Sequence, residues 1–226
     1  MTGLVLKLSY NNIGETPVIG GITGSFFFIE NNIVVTANHV LNKKDFTPNE
    51  GFKYCQFWLL IEPNIVIEVS LEKLIEFPDI DSTIIKLEEK YQIPVRTISN
   101  TSIEVGKYCF NEGFIGGQMP RIMANWNDEK LVITGCYYNN TKALGEGFVK
   151  SIKVMTVNAA DIKMENVLGI ETSYGGIQGM SGGPLIDRIT NQIVGLMSIG
   201  YPEDVQIKQS LFAIEIQQLI ERLNVA

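Results

Sequence analysis

Only one histidine, His39, occurs in the 226 residues. A zinc site built on imidazoles would be short of ligands, and chemistry that needs an imidazole base has one place to find it. Cysteine is also scarce. Cys55, Cys109 and Cys136 are odd in number and widely spaced, with no C-x-x-C redox motif and no metal knuckle. They read as free thiols in a reducing compartment. Charged residues make up 19% of the chain, below the usual ~25%, and hydrophobic residues 45%, which argues for a compact globule over disorder. Positive charge is in deficit, with 18 Lys and Arg against 25 Asp and Glu, a net charge of −7. A pI near 4.9 argues against non-specific binding to nucleic acid or to an anionic membrane. No apolar run reaches the ~18–20 residues that cross a bilayer; FFFI at 26–29 stops at Glu30. The opening MTGLVLKLSYNN has no basic leader followed by an apolar block and a cleavage site, so a cytoplasmic location is expected. No metal and no cofactor is expected.

Apolar segments are short, rich in Ile and Val, and broken by Gly, Asn and Pro. SFFFIE (25–30), NIVVTA (32–37), YCQFWLLI (54–61), STIIKLE (82–88), KLVITGCYY (130–138) and QIVGLMSIG (192–200) are examples. Many short strands with turn signals between them predict an all-β barrel or sandwich. Helical spacing occurs once, in AIEIQQLIERL (213–223), through Ile216, Leu219, Ile220 and Leu223. The polar stretch 89–106, with Pro94 and SNTS at 99–102, is the best internal boundary and divides the chain into 1–98 and 99–226.

Three segments carry residues with chemical potential. QGMSGGPLID (178–187) sets Ser181 in a glycine-rich tight turn before a strand. A hydroxyl there needs a neighbouring base and oxyanion donors to act as a nucleophile. VVTANHVL (34–41) ends an apolar strand at His39. A lone histidine is usually structural, but if Ser181 is activated by imidazole, the base is His39. FPDIDSTIIKLE (77–88) offers Asp79 and Asp81 as acceptors for the histidine Nδ1–H. Either could equally be a turn or strand-cap residue.

Together these segments resemble the chymotrypsin-fold serine peptidases, with chain order His, Asp, Ser. Within that group the sequence is similar to bacterial HtrA-type and stand-alone trypsin-like peptidase domains without a PDZ domain. TANHV matches T-A-x-H-V, and Gly179 to Leu185 matches G-x-S-G-G-P-L. Asp81 to Lys86 matches D-x-A-hydrophobic-hydrophobic-K, with Thr83 in place of Ala. That frame selects Asp81 over Asp79. Weaker matches run in order through TGSFFFI (23–29), VGKYCFNEGF (105–114), IVGLMSIG (193–200) and SLFAI (210–214); residues 116 to 166 match only loosely.

The resemblance implies two six-stranded antiparallel β-barrels and a short C-terminal helix. The first barrel (1–98) would carry His39 and Asp81; the second (99–226) would carry Ser181, the oxyanion loop and the helix. It implies a serine endopeptidase, with the N–H groups of Gly179 and Ser181 as oxyanion hole. Ser198, Ile199 and Gly200 would pair with an extended peptide or protein substrate. Trypsins carry an acid six positions before the serine. Here that position is Gly175, followed by Gly176, and Met197, Ile199 and Ser210 are expected to line the pocket. Cleavage after an uncharged residue of small to medium size is expected. Met180 stands where zymogen-type trypsins have Asp, so control by a separate protein partner or by a further domain is expected in place of N-terminal cleavage. Two other readings compete: an idle barrel serving as a peptide-binding or regulatory module, and a non-peptidase serine hydrolase. The α/β scaffold usual for the latter orders Ser, acid, His, and here His39 comes first.

Overall fold

The computed structural model describes residues 1–61, 65–116, 120–137, 142–158, 162–200 and 211–225. Seven strands come first: β1 (Thr2–Tyr10), β2 (Val18–Glu30), β3 (Ile33–Ala37), β4 (Tyr54–Ile61), β5 (Ile65–Val69), β6 (Leu74–Phe77) and β7 (Ser82–Lys86). They form one antiparallel sheet in the order β5-β4-β1-β2-β3-β7-β6. Its edge strands share a core: Ile67 and Val69 of β5 and Leu74 of β6 are buried with Val5, Phe26, Phe28 and Phe57. The sheet is therefore rolled around its own interior.

The second half contributes β8 (Tyr108–Phe114), β9 (Arg121–Asn127), β10 (Lys130–Tyr137), β11 (Lys142–Asn158), β12 (Lys163–Thr172), β13 (Pro184–Asp187), β14 (Ile193–Gly200) and β15 (Leu211–Glu215). Six of them close a barrel in the order β11-β12-β15-β14-β13-β8, while β9 and β10 form a separate two-stranded sheet among the described residues. The all-β architecture with one C-terminal helix is the one anticipated. The first half carries seven strands where six were expected, among them the four-residue β6 at the sheet edge.

The consecutive apolar residues of β2 have a structural reason. Successive side chains on a strand point to opposite faces. Phe26 and Phe28 fill the interior of the first sheet. Phe27 and Ile29 face the second half, in a cluster with Val35, Ile84, Met164, Val167, Leu196 and Leu219. Likewise Val5 of β1 points inward, while Leu4, Leu6 and Leu8 lie under the β9–β10 hairpin against Leu131, Ile133 and Cys136. Strands buried on both faces lose the alternation of a half-exposed sheet.

Helix α1 (Ile216–Val225) starts after the first residues of the stretch with helical spacing. Ala213, Ile214 and Glu215 are extended and pair with β14. Ile216 and Leu219 of the helix are buried in the cluster between the halves. The connection from β7 to β8 is fastened to the barrel at Ile193, whose N–H donates to Thr97 O and whose carbonyl accepts from Ser99 N, both at 2.9 Å.

Candidate active site

At the end of β3 the chain turns sharply: the N–H groups of Val40 and Leu41 both donate to Ala37 O, at 3.0 and 3.2 Å. Val40 and Leu41 are buried in the first core, which leaves His39 at the strand end with its side chain 19% exposed. Asp81 follows the 3-10 turn Pro78–Ile80 and has φ 44 and ψ 46. This left-handed conformation is uncommon outside glycine, and Asp tolerates it better than most residues. It aims the carboxylate back at the His39 turn. Asp81 Oδ1 accepts the His39 N–H at 2.9 Å, and Oδ2 lies 2.8 Å from His39 Nδ1. Asp81 O also accepts from Asn38 N at 3.0 Å. The Thr83 that replaces the usual Ala has a local role: its Oγ1 accepts from Asn38 Nδ2 at 2.9 Å. Asp79 faces elsewhere and pairs with Arg222 of α1.

The second half reaches the same carboxylate: Ser198 Oγ donates to Asp81 Oδ2. The Asp81 side chain, 2% exposed, thus has acceptors engaged by an amide, an imidazole and a hydroxyl. Ser198 stands at a bulge in β14, where the ladder to β15 shifts between Met197 and Ile199. Its carbonyl, outside that ladder, accepts from Ser181 Oγ at 3.3 Å. Among the described residues, this is the hydrogen bond of the Ser181 hydroxyl, and the His39 ring bonds to Asp81 only.

The serine loop is held from both halves. Ser25 of β2, fully buried, donates its N–H to Ser181 O and its hydroxyl to Gly179 O, both at 2.7 Å. The same hydroxyl accepts from Phe114 N at 3.0 Å. Gly182, at φ +85, allows this contact: a Cβ there would sit 2.1 Å from Ser25 O and 2.4 Å from Thr36 Oγ1.

Among the described residues, neither the Gly179 N–H nor the Ser181 N–H donates to a protein acceptor, while the peptide carbonyls behind them are fixed. Gln178 O accepts from Gly116 N at 2.5 Å, and Met180 O accepts from Gly183 N at 3.0 Å. In a planar trans peptide the N–H points opposite to its C=O. Tying these two carbonyls therefore sets the direction of both N–H groups.

Met180, 2% exposed, fills the space beneath this loop. Its Sδ accepts from Ile177 N at 3.3 Å and lies 3.8 Å from the amide of fully buried Asn111. Of the residues expected around the pocket, Gly175 is partly buried and Gly176 exposed. Met197 is fully buried in the barrel core with Cys109, Leu185 and Ala213, so its side chain is part of that core and not of an open wall. Ile199 and Gly200 end β14, and Ser210 lies outside the described residues. Tyr174, beside Gly175, lays its ring over Gly145 and Gly147. Burial pushes its hydroxyl pKa up, and burial raises the Cys109 thiol to about 11, which keeps that cysteine neutral. Sequence reasoning missed Ser25, Gly116 and Asn111. The only signal was the match of TGSFFFI to a strand preceding the histidine.

This fold and arrangement define a class. The chain belongs to the trypsin-like peptidase family, whose domain matches residues 23–196. It is a serine peptidase of chymotrypsin-like fold, related in architecture to HtrA-type proteases. The inactive serine-to-alanine form of Rv3671c from M. tuberculosis is similar, at 16% identity over 98% of this chain and 84% of that one, with a TM-score of 0.59. The active form of Rv3671c is 14% identical over 98% of this chain and 79% of that one, with a TM-score of 0.57. The HtrA-type protease AlgW with a decapeptide is 14% identical, with a TM-score of 0.63; the match covers 99% of this chain and 63% of AlgW. No curated protein matches the sequence.

Proposed function

We propose that the chain is an endopeptidase that hydrolyses extended peptides through an acyl-enzyme on Ser181, with His39 as base and Asp81 as its orienting acid. The observation that carries this reading is the His39–Asp81 contact of 2.8 Å, made beside a serine loop whose Gly179 and Ser181 N–H groups are unspent. Because Nδ1 faces the carboxylate, Nδ1 carries the proton and Nε2 keeps its lone pair. Nε2 takes the Ser181 proton during attack and returns it to the leaving amine, while Asp81 stays ionised and stabilises the imidazolium. The two N–H groups receive the developing oxyanion; one such donor is worth about 3–4 kcal/mol of barrier.

Substrate binding has an edge to use. Backbone pairing of β14 on the β13 side ends at Met197, which bonds Gly182 and Gly183, and beyond it Ser198 to Gly200 can accept an added strand. A substrate N–H that bonds Ser198 O displaces the Ser181 hydroxyl from its present acceptor and frees it to turn to the imidazole. Binding and activation of the nucleophile are then one event. Gly175 and Gly176 supply no carboxylate for a Lys or Arg side chain, which supports cleavage after an uncharged residue of small to medium size. Ile177, 51% exposed on the oxyanion loop, is an accessible handle for a regulatory protein partner. The three free cysteines, two of them buried, support a reducing compartment such as the cytoplasm.

A second reading, a peptide-binding module without turnover, draws on the Ser181–Ser198 hydrogen bond. Fluorophosphonate labelling separates the two. The expected adduct forms on Ser181 and is lost in Ser181→Ala and His39→Ala. A folded protein that binds peptides but never labels, with or without substrate peptides, would replace the endopeptidase reading with the binding module.

A further inference from the structure

Beside His39 lies a cleft of about 710 Å³ whose walls come from both halves of the molecule. One wall is the 3-10 turn Lys43–Phe46 and the residues before it, another is Glu76 and Pro78, and the third is Lys163 at the start of β12. The position of Lys163 follows from its neighbour. Met164 is fully buried against Ile80 in the cluster between the halves, so Lys163, on the opposite face of the strand, is turned outward across from Pro78.

The charges in this cleft are unevenly committed. Both acids are engaged by backbone amides: Glu76 Oε1 accepts Lys43 N at 2.7 Å, and Asp45 Oδ2 accepts Asn42 N at 2.9 Å. Among the described residues, none of the three ammonium groups of Lys43, Lys44 and Lys163 makes an ion pair or a side-chain hydrogen bond. Three lysines against the two carboxylates of Asp45 and Glu76 give the lining a small net positive charge in a chain of net charge −7, and the ammonium groups, not the carboxylates, are the uncommitted side. The same cleft is lined by the His39 ring, so a group held in it lies next to the reacting atoms.

We propose that this cleft is a subsite for an acidic side chain of the substrate, one to three residues from the scissile bond, with Lys43, Lys44 and Lys163 as its specificity-determining residues. The inference rests on the endopeptidase reading and deepens it by naming a substrate class. A carboxylate is the group that fits: it accepts from several flexible ammonium donors at once, and Gly175 and Gly176, where the resemblance puts the primary pocket, carry no charge, which leaves the charge preference to be set elsewhere. The attraction is partly solvent-exposed, so it is salt-dependent.

The test uses peptide pairs that differ only by Glu or Gln at each position flanking the cleavage site. At one position the wild-type enzyme is expected to favour Glu over Gln in kcat/KM by about three- to tenfold at low ionic strength. The ratio is expected to shrink toward one in about 1 M salt. In Lys163→Glu and in the Lys43→Glu, Lys44→Glu pair the ratio falls to one or inverts in favour of a Lys-containing peptide. Each variant is judged by its own Glu-to-Gln ratio, so a general loss of activity does not imitate the effect. Equal cleavage of Glu and Gln peptides at every position would overturn the subsite while leaving the endopeptidase intact. Failure to cleave any peptide or to label Ser181 would overturn the endopeptidase and the subsite with it.

Discussion

Replacing Ser25 with Ala removes one oxygen from the junction of the two halves. Two buried backbone contacts go with it: Gly179 O loses its donor at 2.7 Å, and Phe114 N loses this acceptor at 3.0 Å. Gly179 and Phe114 are themselves buried, so water does not take the place of the hydroxyl. A buried group left without its partner costs about 1–3 kcal/mol. The two contacts share one site and do not add in full, so the expected loss is about 1–3 kcal/mol. Against a total of about 5–15 kcal/mol the variant still folds. Catalysis suffers more specifically. On the proposed endopeptidase reading, Gly179 O is one of the ties that hold the peptide next to an oxyanion donor, and loosening that donor is expected to lower kcat by about 10- to 100-fold, short of the full loss of one donor. KM changes little, because the strand edge at Ser198 to Gly200 is untouched. Urea unfolding gives the stability, and active-site titration with steady-state kinetics gives kcat per competent site. Ser25→Thr keeps the hydroxyl and should recover more kcat than stability, since its extra methyl enters a filled space. A Ser25→Ala enzyme with unchanged midpoint and full kcat would refute the clamp.

Asp81→Asn is expected to lower kcat by about 10⁴-fold, since the amide can donate to Nδ1 and favour the wrong tautomer, with the midpoint of unfolding as the check on folding. Gly182→Ala places a Cβ 2.1 Å from Ser25 O and should yield little soluble enzyme, whereas Gly14→Ala, at nearly the same φ but with nothing within 4 Å, should cost only about 1–2 kcal/mol by thermal melting. Met180→Ala opens a buried space and should destabilise by about 2–5 kcal/mol, while Met180→Leu fills it at under about 1.5 kcal/mol yet loses the sulfur acceptor, and so should separate kcat from stability. Burial raises the Cys109 pKa from 9.0 to about 11, so the unfolded chain releases this proton at lower pH than the folded one. Stability from this group is full below pH 9.0 and is lost as pH rises to about 11, and Cys109→Ala should flatten that part of the pH–stability curve.

Much of the site was legible because its chemistry needs rare residue types in fixed order. A single histidine at a strand end and a serine between glycines left few assignments open, and Asp81 lies against His39 while Asp79 binds Arg222. The supporting residues were not legible. Ser25 looks like any polar residue opening an apolar strand, and its partners are 89 and 154 residues away. Asn111 sits in a strand that reads as ordinary barrel. The resemblance puts Met197 at the pocket wall with Ile199 and Ser210, but the bulge at Ser198 shifts the ladder and Met197 is sealed in the barrel core. The helix starts later than the helical spacing of 213–223 suggests for a related reason: pairing with β14 keeps Ala213 to Glu215 extended.

The β9–β10 hairpin springs from the rear polypeptide but roofs the outer surface of β1 and β4, where Trp58 and Leu60 meet Leu131 and Ile133. Together with the apolar seam around Phe27 and Leu219, it straps the two lobes on separate fronts. Melting one lobe alone would strip the other of its cover, so heat or denaturant should take both down in a single cooperative step.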